Sequence, residues 1–231
     1  MTVKALLFDF NGVVINDEPI QMRIYQQVLA DHGIALSEAD YYSALGMDDK
    51  TFVQNAFARA GAAADELKTL DVVTAKSQLW REEVAAEVPL FPNVENFIRK
   101  AANEMALGIV SMSNRADIEY ILERTDLTDC FEIIVSAEDV DKPKPDPQCY
   151  REGFRKLDLA RIAAGHLPMV HSECVVIEDA PPGVAAARAA DLQVLGVTNT
   201  VAAGDLRAAG ARWIAKDLND WWPESIRRAF A

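Results

Sequence analysis

Val3-Lys4-Ala5-Leu6-Leu7-Phe8-Asp9-Phe10-Asn11-Gly12 is the stretch on which the reading of this chain turns. An apolar run this short, closed by a carboxylate and an Asn-Gly pair, predicts a buried strand that ends in a turn. Similar runs recur at residues 107–110 (LGIV), 131–135 (FEIIV), 174–177 (CVVI) and 194–197 (VLGV). Helical periodicity fills the gaps at 94–105, 116–124, 147–156 and 184–190. Short apolar strands alternating with helices predict an α/β fold, a Rossmann-like parallel sheet covered by helices on both faces.

One segment breaks the alternation. From about residue 16 to residue 88 no strand-like run occurs. Ile20, Ile24, Val28 and Leu29 share one helical face that Gly33 is placed to end. Ser37 and Asp40 have capping-box spacing for a second helix. Phe52, Val53, Ala56, Phe57 and Ala60 form a third stripe ended by Gly61, and 67–84 reads as a fourth helix. Pro89 and Pro92 mark the return to the sheet. The expectation is an α/β core made of residues 1–15 and 89–231, carrying an inserted all-helical cap over 16–88.

The chain has 231 residues, half of them hydrophobic, and a net charge of −13. Such an acidic surface repels phosphate backbones and anionic lipid heads, so neither nucleic acid nor membrane is an expected partner. No apolar run reaches the roughly 18–20 residues of a membrane span. The apolar start is broken by Asp9 and Asn11 and has no leader-peptide pattern. Cys130, Cys149 and Cys174 are scattered without metal or disulfide spacing, so the expected compartment is the reducing cytoplasm. The expected assembly is a monomer or homodimer.

The chemistry narrows by exclusion. The sequence holds no Gly-x-Gly fingerprint, no Gly-Lys-Ser/Thr loop, no Gly-x-Ser-x-Gly elbow and no His-Glu-x-x-His. What it does hold is carboxylates just past strand ends: Asp9 after the first, Glu178 and Asp179 after the fourth. In an open parallel sheet, ligands bind beyond the carboxyl ends of the strands. If strands one and four are neighbours, these groups converge, and a carboxylate set without histidine or thiolate suits a hard cation such as Mg²⁺. Ser111 and Ser113 follow the second strand, and Lys142 lies beyond the third in Asp-Lys-Pro-Lys-Pro-Asp. A hydroxyl and an ammonium beside a metal can clamp a transferring phosphoryl group.

Asp9-Phe-Asn-Gly-Val-Val14, Ser111, Lys142-Pro-Lys-Pro-Asp146 and Glu178-Asp-Ala-Pro-Pro-Gly183 occur in that order at matching strand ends. This series resembles the haloacid dehalogenase superfamily. Within it the chain is similar to the phosphoglycolate phosphatase/β-phosphoglucomutase-like branch, whose helical cap follows the first motif. The resemblance implies a Mg²⁺-dependent phosphatase acting on a small phosphorylated metabolite. It implies Asp9 as the nucleophile that becomes an aspartyl-phosphate, Ser111 as a phosphoryl hydrogen-bond donor and Lys142 as the balancing cation. Asp9, the carbonyl of Asn11, Glu178 and Asp179 are the implied metal set. Gly12, Ser113, Asn114 and the cap residue Lys50 are the implied substrate contacts.

Position 11 departs from the pattern. The resemblance implies an aspartate there, which protonates the leaving oxygen and then activates water. The amide of Asn11 does neither, and losing such a group costs about 10²–10⁴-fold. The expectation is therefore slow turnover that Asn11→Asp accelerates by about 10²-fold. Asn16-Asp17-Glu18 also stands where the family often has Asp-Ser-Glu. Two other readings are a catalytically silent phospho-ligand binding protein and a phosphonatase-type C–P hydrolase that uses Lys50. The Glu178-Asp179 pair argues against dehalogenation.

Overall fold

The computed structural model describes residues 2–219 and 221–231. Strand β1 (Ala5–Phe8) is followed by helices α1 (Glu18–Ala30), α2 (Glu38–Tyr42), α3 (Asp49–Arg59) and α4 (Glu66–Ala86). Strands and helices then alternate: α5 (Val94–Ala102), β2 (Ala106–Val110), α6 (Arg115–Arg124), β3 (Ile133–Val135), α7 (Gln148–Ala163), β4 (Cys174–Glu178), α8 (Pro181–Ala189) and β5 (Gln193–Val197). The chain finishes with α9 (Ala203–Ala209), β6 (Trp213–Ala215) and α10 (Pro223–Ala229).

The sheet is parallel throughout, in the order β3-β2-β1-β4-β5-β6. β1 is central because its four residues, Ala-Leu-Leu-Phe, are apolar on both faces and wholly buried. Leu6 and Phe8 enter one core, with Phe97, Ile118 and Ile121 of α5 and α6. Ala5 and Leu7 enter the other, with Tyr150, Leu157 and Val184 of α7 and α8. The strand order reverses between β1 and β4, which pair in register from Ala5↔Cys174 to Phe8↔Ile177. A crevice therefore opens where the carboxyl ends of those two strands diverge.

The helical stretch leaves and rejoins the sheet at one place. Asn16 N–H donates to Pro89 O at 2.6 Å, Phe91 N–H donates to Val14 O at 3.3 Å, and Ile15 bridges Leu90. Ser37, Asp48 and Asp65 cap the second, third and fourth helices through Asp40, Thr51 and Lys68 N–H groups.

One strand lies outside the expected runs. β6 was not foreseen: its three residues are too few, and Trp213 too exposed, to make an apolar run. The segment 158–172 begins as helix, because α7 runs on to Ala163. Only the stretch after α7 is a loop, tied back by Met169 N–H to Asp158 Oδ1 at 2.7 Å. The Trp222 ring lies 3.6 Å from the Lys100 ammonium of α5.

Candidate active site

Asp9 leaves β1 at the strand crossover, its N–H bonded to Ile177 O of β4 at 3.0 Å. Asp9 Oδ1 accepts Phe10 N–H at 2.7 Å and the Lys144 ammonium at 3.0 Å, so every hydrogen bond to this carboxylate falls on one oxygen. Lys144 is 4% exposed and also reaches Glu178 Oε1 at 2.7 Å. Tyr150 OH donates to the same Oε1 at 2.7 Å, while Asp179 and Ala180 N–H groups donate to Oε2. Glu178 is thus saturated and acts as an anchor for Lys144 and for the turn after β4. Asp179 keeps more of its coordinating capacity.

Asp9, Glu178 and Asp179 each offer an oxygen within 4.8 Å of the others. Burial first, then the Glu178 charge, push Asp9 up to about 8 against the pull of Lys144. Burial, Glu178 and Asp9 raise Asp179 well above the usual carboxylate range. Three clustered carboxyls against one ammonium leave negative charge that a hard divalent cation offsets. Gly12 shapes the same place. Its φ of +74° is left-handed, and a Cβ there would collide with the Asp179 carboxylate. The donor set and the cradle fit Mg²⁺.

Asn11 faces two ways. Its Oδ1 accepts Ser113 OH at 2.5 Å and Ser111 OH at 3.4 Å. Its Nδ2 donates to both oxygens of Asp17, at 3.0 and 2.9 Å. Ser111 and Ser113 lie in the turn between β2 and α6, where Ser113 N–H also donates to Ser111 Oγ at 3.0 Å.

Lys142, the expected cation, is exposed and outside the cluster; Lys144 holds its place. The physical reason is the turn the chain makes at Lys144 and Pro145, closed by Asp146 N–H donating to Pro143 O at 3.0 Å, which sets Lys144 apart from Lys142. The sequence offered the signal twice, because Lys-Pro-x-Pro reads both from 142 and from 144. Lys50 is exposed in the first turn of α3 and does not line the pocket, which removes the phosphonatase reading's lysine. Lys76, in the middle of α4, is 3% exposed and pairs with Asp49 at 3.1 Å. Asn114 does reach the pocket's margin, donating to Asp49 Oδ2 at 3.0 Å.

The pocket above Asp9 is closed by the helical stretch. Gln21, Tyr25, Tyr41, Met47, Asp49 and Phe52 face Ser111, Ser113 and Lys144 across it. Gly46 makes the close approach possible, since a Cβ there would lie 2.8 Å from Pro182 and 3.2 Å from the Lys144 stem, at a φ of +85°. Sequence patterning did not single out Tyr25, Tyr41 or Asp49, because nothing local distinguishes a pocket face from a core face.

Comparison with known proteins agrees with this geometry. The haloacid dehalogenase-like hydrolase family profile matches residues 3–191. Protein CbbY of Rhodobacter capsulatus is 29% identical over 95% of both chains. Hexitol phosphatase B of Escherichia coli K12 is 28% identical over 89% of this chain and 88% of its own. The fold superimposes on β-phosphoglucomutase of Clostridium difficile with a TM-score of 0.84, covering 99% of this chain and 97% of that one at 18% identity. With its family profile spanning most of the sequence and its carboxylates gathered at the β1–β4 crossover, the chain belongs to the haloacid dehalogenase-like hydrolases.

Proposed function

We propose that this hydrolase is a Mg²⁺-dependent phosphatase that moves the phosphoryl group of a small metabolite first to Asp9 and then to water. The observation that carries the reading is the Lys144 ammonium held between Asp9 and Glu178, with Asp179 beside them. Asp9 attacks phosphorus through Oδ2, the oxygen its neighbours leave unengaged, and the P–O bond to the leaving group breaks. Lys144 offsets the charge that gathers as phosphate meets carboxylate. Ser111 and Ser113 lie within reach of the phosphoryl oxygens. Asp9, the Asn11 carbonyl and Asp179 would hold the metal, with Glu178 behind them. Bound there, Mg²⁺ would supply charge neutralisation for the phosphoryl oxygens. Water then attacks the aspartyl-phosphate and regenerates Asp9. Asn11 offers no proton at either step, so turnover is slow, and slowest for alkyl leaving groups.

Residues 16–88 act as the cap in this reading, and 1–15 with 89–231 as the core. The cap's side of the pocket describes the substrate's remainder. Among the described residues lining the pocket, Lys144 is the only cation, and it is engaged by two carboxylates. Asp49 faces in, with the nearby Lys76 engaged by it. A second phosphate or a carboxylate on the substrate would face Asp49 without a free cation to pair with, since Lys76 is engaged by Asp49. The substrate therefore carries one phosphoryl group on a neutral, hydroxyl-bearing remainder, in keeping with the hexitol phosphatase relative. Phosphate release with Mg²⁺ tests this: hexitol monophosphates should exceed phosphoglycolate and sugar bisphosphates in kcat/KM by about tenfold or more, one charged contact's worth. Preference for the doubly anionic substrates would refute it.

A further inference from the structure

Asp17 is a carboxylate that the proposed reaction does not use. It is wholly buried at the junction of β1 and α1, and among the described residues no cation is paired with it, the nearby Lys76 being held by Asp49. Its partners are neutral donors: Asn11 Nδ2 at 2.9 and 3.0 Å, Gln21 Nε2 at 2.9 Å and Trp80 Nε1 at 2.8 Å. These donors come from the catalytic turn, from α1 and from α4. A buried carboxylate is stable only when its lone pairs are matched by donors, and here an asparagine amide supplies two of the contacts.

We propose that Asn11 and Asp17 form a matched pair in which Asp17 is the positioning residue that fixes the Asn11 amide in the active site. The two faces of the amide make the orientation unique. Were Asn11 turned over, its Oδ1 would confront the Asp17 carboxylate, acceptor against acceptor, and the serine hydroxyls would lose their acceptor. Asp17 therefore directs the Asn11 carbonyl at Ser111 and Ser113. Because Trp80 and Gln21 bond the same carboxylate, it also ties that orientation to the helices that close the pocket.

The pairing changes what Asn11→Asp does. A lone carboxylate at position 11 would stand at hydrogen-bond distance from Asp17 with no donor between them. Like charges that close in a buried site repel strongly. The substitution thus loses fold stability and places the new carboxylate away from the leaving oxygen. Exchanging both residues, Asn11→Asp with Asp17→Asn, puts a donor back between the two positions: the amide at 17 donates to position 11, and its oxygen still accepts from Trp80 and Gln21. The catalytic part of this inference rests on the phosphatase reading, whereas the pairing itself does not.

Wild type, both single variants and the exchanged pair should be compared in thermal unfolding and in Mg²⁺-dependent hydrolysis of p-nitrophenyl phosphate. Asn11→Asp should melt lower by about 5 °C, and Asp17→Asn in the same chain should restore most of that loss. Turnover should rise by about 10²-fold in the exchanged pair, in kcat more than in KM, and Asn11→Asp alone should fall short of that pair by about tenfold or more. Additive melting shifts, or a full rate gain from Asn11→Asp alone, would overturn the pairing. If melting shows the rescue while all four proteins are inert, the pairing stands and the phosphatase reading falls.

Discussion

Lys144 and Lys142 differ by two positions and by their whole environment. Lys144 is buried between Asp9 and Glu178, whereas Lys142 points to solvent. Lys144→Ala leaves two buried carboxylates without their cation, and Lys144 also stands over the Tyr150 ring at 5.1 Å. Removing one partner of a buried ion pair costs about 3–5 kcal/mol of stability. Losing a charge aimed at the transition state costs about 10²–10³ in kcat. Lys142→Ala should leave both within a factor of about two, as surface substitutions do. Paired denaturation and steady-state assays on the two variants check this, and a larger loss in Lys142→Ala than in Lys144→Ala would mean the lysines had been assigned the wrong way round. The sequence could not separate them, because the same Lys-Pro-x-Pro spacing occurs in two overlapping registers. Asp9, Asn11, Ser111 and Asp179 were legible for the opposite reason: each sits at a fixed offset from a strand end that the apolar pattern marks.

At the scale of elements, legibility followed amphipathicity. β1, β2, β4 and β5 are apolar on both faces, so their runs stand out; β6 is a three-residue edge strand and does not. α4 shows where patterning misleads. Lys76 sits in its middle as any solvated lysine would, yet α4 packs on α1 and α3 and buries it. There the ammonium meets both oxygens of Asp49 at 3.1 and 3.2 Å and stands 5.4 Å from the Tyr25 ring. Only tertiary packing creates that environment, so no helical period could announce it. Lys76→Met keeps the stem's volume and removes the charge, leaving Asp49 with the Tyr25 and Asn114 donors alone. The variant should lose about 3 kcal/mol in urea denaturation. A change under about 0.5 kcal/mol would show that the pair is solvated in solution.

For the whole molecule, the decisive fact is topological. The parallel order places the ends of β1 and β4 side by side, and the helical stretch inserted after β1 folds back over them. The strand–helix alternation and its single interruption made that arrangement readable, while the pocket's cap-side lining needed the folded helices. The catalytic reading depends on Asp9 being a nucleophile. An acid-quenched reaction with p-nitrophenyl phosphate and Mg²⁺, followed by peptide mass mapping, measures this directly. The account predicts a burst of about one p-nitrophenolate per enzyme, because loss of the base at position 11 slows hydrolysis of the intermediate. It also predicts a phosphoryl group on the peptide carrying Asp9, and loss of both signals when Mg²⁺ is chelated or when Asp9→Asn is used. Release without a burst and without phosphorylated Asp9, or a burst that survives Asp9→Asn, would contradict it.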